Sequence, residues 1–111
     1  MNEEVKKIIN ESVDQKELVA VIAQSRLLLQ KYEITPTEIQ WTVLINHLNE
    51  MLKRSRDNEK MTGVDPSLFS EVSQEALEIS KEIVDSIGNL PIDEMYVLSI
   101  HFEAAKQNEA V

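Results

Sequence analysis

The sequence predicts an all-α protein, folded as a compact antiparallel bundle of about five helices. Apolar residues recur at intervals of three and four along most of the 111-residue chain, which is the spacing of one helix face. Runs that alternate β-branched or aromatic residues with polar ones, the signature of strands, are nearly absent. The two Gly and three Pro all fall between the periodic segments, as expected for short links in a bundle. We expect a single domain over 1–111, with a flexible tail over 107–111.

The first predicted helical segment carries an apolar stripe from Val5 to Leu29. The stripe misses a turn over residues 12–15, Ser-Val-Asp-Gln. A kink or a break between two helices is therefore expected there.

The next segment begins at Thr35-Pro36-Thr37-Glu38. Here Thr35 is the expected N-cap, Pro36 suits the first helical position, and Glu38 would complete a capping box. The helix that follows carries apolar residues from Ile39 to Leu52 and should end near Arg56, where the sequence becomes wholly polar.

Two further helix starts follow, at Asp65-Pro66 and at Pro91. The first opens a long apolar-periodic stretch that Ser70 or Ser73 would divide into a short and a long helix. Gly88 stands where a left-handed residue ends a helix. After Pro91, acidic residues occupy the first turn of the last helix, which suits the positive end of its dipole.

The charge balance excludes several classes of function. Eleven Lys and Arg against 20 Asp and Glu leave a net charge of −9, which disfavours direct binding to nucleic acid or to an anionic membrane. The absence of Cys excludes disulfides and thiolate chemistry and fits the cytoplasm. The N-terminus has no apolar segment typical of a secretory signal, and no apolar run is long enough to span a bilayer.

His47 and His101 are the two histidines of the chain, and each borders the apolar stripe of its helix. Each has a charged residue seven positions away, Arg54 for His47 and Glu94 for His101. Seven residues are close to two helical turns, so both members of a pair point the same way. Each imidazole is then either a half-buried packing residue or a nucleophile and proton carrier near neutral pH.

Other chemistry has little support in the sequence. No HExxH motif or pair of His four residues apart suggests a metal site, and two Gly cannot form a phosphate-binding loop. We therefore expect no catalytic residue, metal or cofactor. Trp41 and Ile45 widen the apolar face of the second helix, which indicates either core packing or a dimer interface.

Two segments resemble the signatures of the PTS regulation domain (PRD) family. Residues 45–54, INHLNEMLKR, resemble the first signature, a His followed by Arg seven residues later. Residues 90–102, LPIDEMYVLSIHF, resemble the second, a Pro-Glu helix start leading to a His. The similarity extends over 38–106, with the interval that one copy of the domain has. The family often has Asp before the first His, where this chain has Asn46.

The resemblance implies a five-helix bundle that dimerises and is phosphorylated on histidine by phosphocarriers of the sugar phosphotransferase system. It makes His47 and His101 the candidate phosphoacceptors, with Arg54, Glu94 and Asn46 as candidate supports for the phosphate or the rings. Such domains control transcription of sugar-utilisation genes within longer antiterminators and activators. Because this chain shows no nucleic-acid-binding module, we expect it to act through an unknown downstream regulator.

Two alternative hypotheses remain open at the level of sequence. One is a helical adaptor or dimerisation protein whose histidines are only structural. The other is a small enzyme or subunit that uses His and Glu as acid and base, which would require both histidines in one pocket with perturbed pKa values. The position of the two rings relative to each other and to solvent distinguishes these hypotheses.

Overall fold

Five α-helices form the architecture in the computed structural model, which describes residues 2–110. They are α1 (Glu3–Asn10), α2 (Gln15–Lys31), α3 (Glu38–Asp57), α4 (Gln74–Ile87) and α5 (Asp93–Lys106). Short 3-10 helices at Pro66–Phe69 and Gln107–Ala110 complete the regular structure. Over residues 2–110 there is no strand, so the predicted all-α bundle is confirmed.

The expected interruption of the first segment is a complete break between α1 and α2. Asn2 caps α1 and Asp14 caps α2, each accepting a backbone hydrogen bond three residues on. Between the two helices, the Ser12 hydroxyl donates to Oδ1 of Asn49 at 2.7 Å. The break thus lets α1 fold back against α3.

The start of α3 differs from the prediction by two residues. Thr37, not Thr35, is the N-cap, and Gln40, not Glu38, completes the capping box. The two patterns overlap in the sequence, since each has Thr followed three residues later by Glu or Gln. The second register is supported by tertiary contacts, because the Asn108 side chain donates to Oε1 of Gln40 at 2.7 Å and to the Thr35 carbonyl at 3.1 Å.

The remaining helix ends lie close to the predicted positions. Asp65 caps only the 3-10 helix, and Ser73 is the residue that starts α4. Gly88 ends α4 with a φ of +79°, a conformation that glycine adopts without strain. The last helix starts at Asp93, two residues later than the predicted start at Pro91. The Pro91 carbonyl accepts from the Glu94 amide at 3.1 Å in the turn that leads into the helix.

All five helices contribute buried apolar side chains to one core. The buried residues are Val5, Leu18, Val21, Ile22, Leu29, Ile34, Leu44, Ile45, Leu48, Met51, Leu52, Ala76, Ile79, Ile83, Val84, Met95, Leu98, Phe102 and Ala105. This continuous core holds α3 and α5 side by side, which positions the site described below.

The apolar face of α3 is wider than the core that covers it. Ile45 is buried and Trp41 packs against the core, so both are core residues and not a free surface. Ile39 and Val43, which the sequence places on the buried stripe, are instead 77% and 49% exposed. The exposed apolar surface of this helix is therefore at its N-terminal half.

The first residues of the expected flexible tail form regular structure. The Gln107–Ala110 segment forms a 3-10 helix that continues α5, and Asn108 is held by its hydrogen bonds to α3 and to the preceding link. Of the predicted tail, Val111 lies outside the described residues.

Candidate functional site

Helices α3 and α5 lie antiparallel, and three polar side-chain contacts join α3 to α5 and to the 3-10 helix that continues it. Gln40 meets Asn108, His47 meets His101, and Arg54 meets Glu94. Each step of seven residues forward along α3 is matched by seven residues back along α5 and its 3-10 extension. Because seven residues rise about 10 Å along a helix, the three contacts are spaced by about two turns on the same seam.

The two predicted histidines contact each other directly at the middle of this seam. Nε2 of His101 lies 3.2 Å from Nδ1 of His47, and either ring can donate in this hydrogen bond according to its tautomer. The ring centroids are 4.8 Å apart and the rings meet edge to face. Two side chains 54 residues apart in the chain thus form one site.

Burial disfavours a charge on either ring. Desolvation, followed by the nearby His101 and Arg54, lowers the pKa of His47 from 6.5 to about 4. Burial also lowers the pKa of His101. Both imidazoles are therefore neutral at pH 7, the form in which a ring nitrogen has a free lone pair.

The two rings differ in their access to the surface. Nε2 of His47 is buried and has no hydrogen-bond partner among residues 2–110, while its Nδ1 faces His101. His101 lines a shallow groove of about 210 Å³. The other residues lining this groove are Ile39, Gln40, Val43, Ile100 and Ala104. Both residues are half-buried, and His101 is the one that lines this groove.

Arg54 and Glu94 pair with each other and not with the histidines. Nε and Nη2 of Arg54 each donate to one carboxylate oxygen of Glu94, both at 2.7 Å. The Glu94 side chain is fully buried and that of Arg54 is 19% exposed. Such a bidentate pair satisfies both oxygens of the buried carboxylate, which would otherwise be strongly destabilising.

The predicted site residues thus fall into two contacts and one surface position. His47 contacts His101, and Arg54 contacts Glu94 two turns away. Asn46 is exposed on α3 next to His47 in the sequence. The same-helix pairing suggested by the seven-residue spacing is replaced by pairing between helices, because α3 and α5 are antiparallel and in register.

The contact between Gln40 and Asn108 was missed by the sequence analysis. Its signal is the same seven-residue interval, extended one step before His47 and one step after His101. Polar residues at that interval on two helices indicate a seam only if the helices are known to be antiparallel neighbours.

Other features of the described chain do not add ligands to this site. Residues 2–110 contain no group of three or more His, Cys, Asp or Glu placed to hold a metal ion. A cavity of about 490 Å³ lies at a different place, where Arg26 stacks 5.1 Å from the Trp41 ring. Over the same residues, no helix combines the length and the hydropathy needed to cross a bilayer.

Comparison with known proteins identifies the family. The sequence model of the PRD domain matches residues 22–105. The chain is also similar to a PRD-containing transcription regulator from Lactobacillus casei ATCC 334, with 44% identity over 96% of both chains and a TM-score of 0.92 between the structures. A search of curated proteins finds no significant match. The match to the domain model covers more than half of the chain, and the bundle it implies is the one observed, so this chain belongs to the PRD domain family.

Proposed function

We propose that this protein is a bacterial regulatory domain that phosphotransferase-system phosphocarriers phosphorylate on histidine. In this proposal it controls transcription of sugar-utilisation genes in the cytoplasm, through a downstream protein partner and without touching nucleic acid itself. The similarity to a PRD-containing transcription regulator supports the regulatory part of the proposal. The net charge of −9 supports action through a protein, because a phosphate backbone would be repelled.

The observation that carries the proposal is the contact between His47 and His101. Two neutral imidazoles meet at 3.2 Å, and one of them lines a surface groove. A structural histidine needs only one hydrogen-bond partner and no access to solvent. The open side of His101 is what a phosphoacceptor requires, since the phosphorus of a donor must come within bonding distance of a ring nitrogen.

The transfer itself requires little driving force. A neutral imidazole attacks a phosphohistidine on the carrier, and one N–P bond replaces another. The acceptor gains a charge of about −1.5 to −2. Because none of the six residues lining the groove carries a charge at pH 7, this new charge has no partner in the groove itself.

Arg54, Glu94 and Asn46 are the candidate supports in this proposal. Arg54 is bound to Glu94 by two short hydrogen bonds, so it would reach a phosphate only by leaving a buried carboxylate. We therefore assign the Arg54–Glu94 pair to fixing the alignment of α3 and α5, and through it the two rings. Asn46, which is exposed and adjacent to His47 in the sequence, stays a candidate support for the phosphate.

The proposal includes a homodimer. Ile39, Val43 and Ile100 line the groove beside His101 and are 77%, 49% and 51% exposed. We call these three residues the apolar rim. Burial of an apolar rim in a second copy is favourable, and a phosphate on His101 would place charge against that surface. In a dimer of this kind, phosphorylation of His101 would change the contact between the two copies.

A phosphotransfer assay tests the proposal. We expect the full chain, incubated with phosphoenolpyruvate and the general phosphotransferase components, to acquire an acid-labile and alkali-stable phosphoryl group. The matched control is the double variant His47→Ala/His101→Ala, which keeps every Ser, Thr and Tyr and should stay unlabelled. An unlabelled wild-type chain, with a known acceptor labelled in the same tube, would favour a helical adaptor with structural histidines.

A further inference from the structure

We propose that the two histidines form a single acceptor, in which His101 takes the phosphoryl group on Nδ1 and His47 is a positioning residue. This inference rests on the proposed function, and it assigns different roles to two residues that the family signatures treat alike. It predicts one phosphoryl group per chain.

The four ring nitrogens differ in how an incoming phosphoryl group could reach them. Nε2 of His47 is buried, and Nδ1 of His47 and Nε2 of His101 face each other at 3.2 Å. A phosphoryl group on either facing nitrogen would have to break the contact between the rings, and Nε2 of His47 is closed off by burial. Nδ1 of His101 is the remaining nitrogen, and it belongs to the ring that lines the groove.

Attack by Nδ1 of His101 requires one particular tautomer of that ring. For Nδ1 of His101 to attack, its lone pair must be free, so the ring proton is on Nε2. That N–H then donates to Nδ1 of His47. His47 can accept this hydrogen bond because burial keeps the ring neutral, with its pKa lowered to about 4. In this pair of tautomers the contact holds the proton of His101 on Nε2 and leaves its Nδ1 free to attack.

The step is balanced without any further reactant. The lone pair on Nδ1 of His101 attacks the phosphorus of a ring-protonated phosphohistidine on the carrier. The new N–P bond forms as the donor bond breaks, and the electron pair of the broken bond returns to the donor nitrogen. Each ring keeps its other N–H, so positive charge moves from the donor ring to His101, where the hydrogen bond to His47 stabilises it.

Occupation of His101 also argues against a second phosphoryl group. The ring centroids are 4.8 Å apart, so two phosphates would bring about three to four negative charges together at one half-buried contact. Arg54, the cation whose charge acts on His47, is already bound to the buried Glu94. His47 therefore stays unmodified while His101 carries phosphate.

The test uses two donors on the full-length chain: the phosphocarrier system and phosphoramidate, a small chemical donor that needs no protein docking. Intact-mass measurement at alkaline pH counts the phosphoryl groups, and long-range ¹H–¹⁵N NMR identifies the modified nitrogen. We expect one group per chain from either donor, on Nδ1 of His101. Two groups per chain, or a group on His47, would overturn the assignment. So would the absence of any label from phosphoramidate.

Variants at position 47 separate positioning from mere packing. His47→Leu removes the hydrogen bond and should slow labelling of His101 about 10- to 100-fold, the effect of losing one hydrogen bond to a developing charge. His47→Asn places an amide oxygen near the position of Nδ1 and should recover most of the rate. Equal rates for wild type and His47→Leu, with circular dichroism showing both folded, would contradict the positioning role.

The two donors keep this inference separate from the proposed function. Labelling of His101 by phosphoramidate but not by the carriers would remove the carrier function and leave the acceptor assignment intact. If the carriers labelled both histidines, the carrier function would stand and the assignment of a single acceptor would be wrong.

Discussion

His47 is a titratable side chain whose surroundings oppose its protonation. Its pKa in the folded protein is about 4, against an ordinary value of 6.5. Between these two values the unfolded chain binds a proton that the folded chain does not. By linkage, the free energy of unfolding then falls as the pH falls.

We predict that this residue contributes stability that is fully present above pH 6.5 and is lost as the pH falls toward 4. The loss is about 3 kcal/mol, from the difference between the two pKa values of His47. Urea unfolding measured between pH 7 and pH 4.5 would show it. In His47→Asn, which cannot titrate, the slope against pH should be much shallower. An unchanged slope in this variant would mean that other groups cause the pH dependence.

At this scale the sequence predicted much of the site. The helical spacing showed that His47 and His101 border the core and that Arg54 and Glu94 share their faces. It could not show that His47 contacts His101 or that Arg54 contacts Glu94, because the relative alignment of two helices is set by tertiary packing and not by the periodicity of either.

At the scale of the helices, two overlapping capping-box patterns occur at the start of α3, and the structure uses one of them. Both Thr35 and Thr37 begin a capping-box pattern, and only Thr37 accepts a hydrogen bond from a backbone amide, that of Gln40 at 3.2 Å. Local sequence could not choose between them. The choice depends on Asn108, which is 68 residues from Gln40 and holds that side chain in place.

We predict that Thr37→Ala lowers the free energy of unfolding by about 1 kcal/mol, the usual cost of losing an N-cap hydroxyl. Thr35→Ala is the matched control, since Thr35 is exposed and contributes its backbone carbonyl to the Asn108 contact. Its stability should stay within about 0.5 kcal/mol of wild type. Chemical denaturation of both variants makes the comparison, and equal losses would contradict the assignment of Thr37 as the cap.

The breaks between helices were easier to predict. Gly88 and the Asp65-Pro66 pair act through backbone geometry that is nearly independent of context, and both mark element boundaries in the structure. The gap in the apolar stripe over residues 12–15 likewise corresponds to a complete break between α1 and α2. Sequence signals that act through one residue's own backbone conformation therefore predicted helix boundaries well. Signals that require a choice between possible hydrogen-bond partners did not.

At the scale of the whole molecule, the apolar rim is exposed, which the periodicity of α3 did not predict. The sequence placed Ile39 and Val43 on the buried face, but α5 and the segment after it cover only part of that face. This surface lies beside His101, so self-association and modification would act on the same region.

We predict that Ile39→Glu weakens self-association of the chain, because a charge in a buried apolar contact must be desolvated. Leu68→Glu is the matched control: Leu68 is 78% exposed, against 77% for Ile39, and lies in the 3-10 helix before α4. Sedimentation velocity over a range of concentrations should show dimers for wild type and Leu68→Glu and mainly monomers for Ile39→Glu. A wild-type chain that stays monomeric, or equal weakening by both changes, would exclude a dimer through the apolar rim.

The matched seven-residue steps along α3 and α5 limit how such a sequence can change. Inserting one residue between His47 and Arg54 would rotate everything beyond it by about 100° and carry the guanidinium away from Glu94. The carboxylate would then be left alone in the core, unless α5 gained a residue at the corresponding place. Insertions or deletions between the paired polar positions are therefore tolerated only when both helices change together.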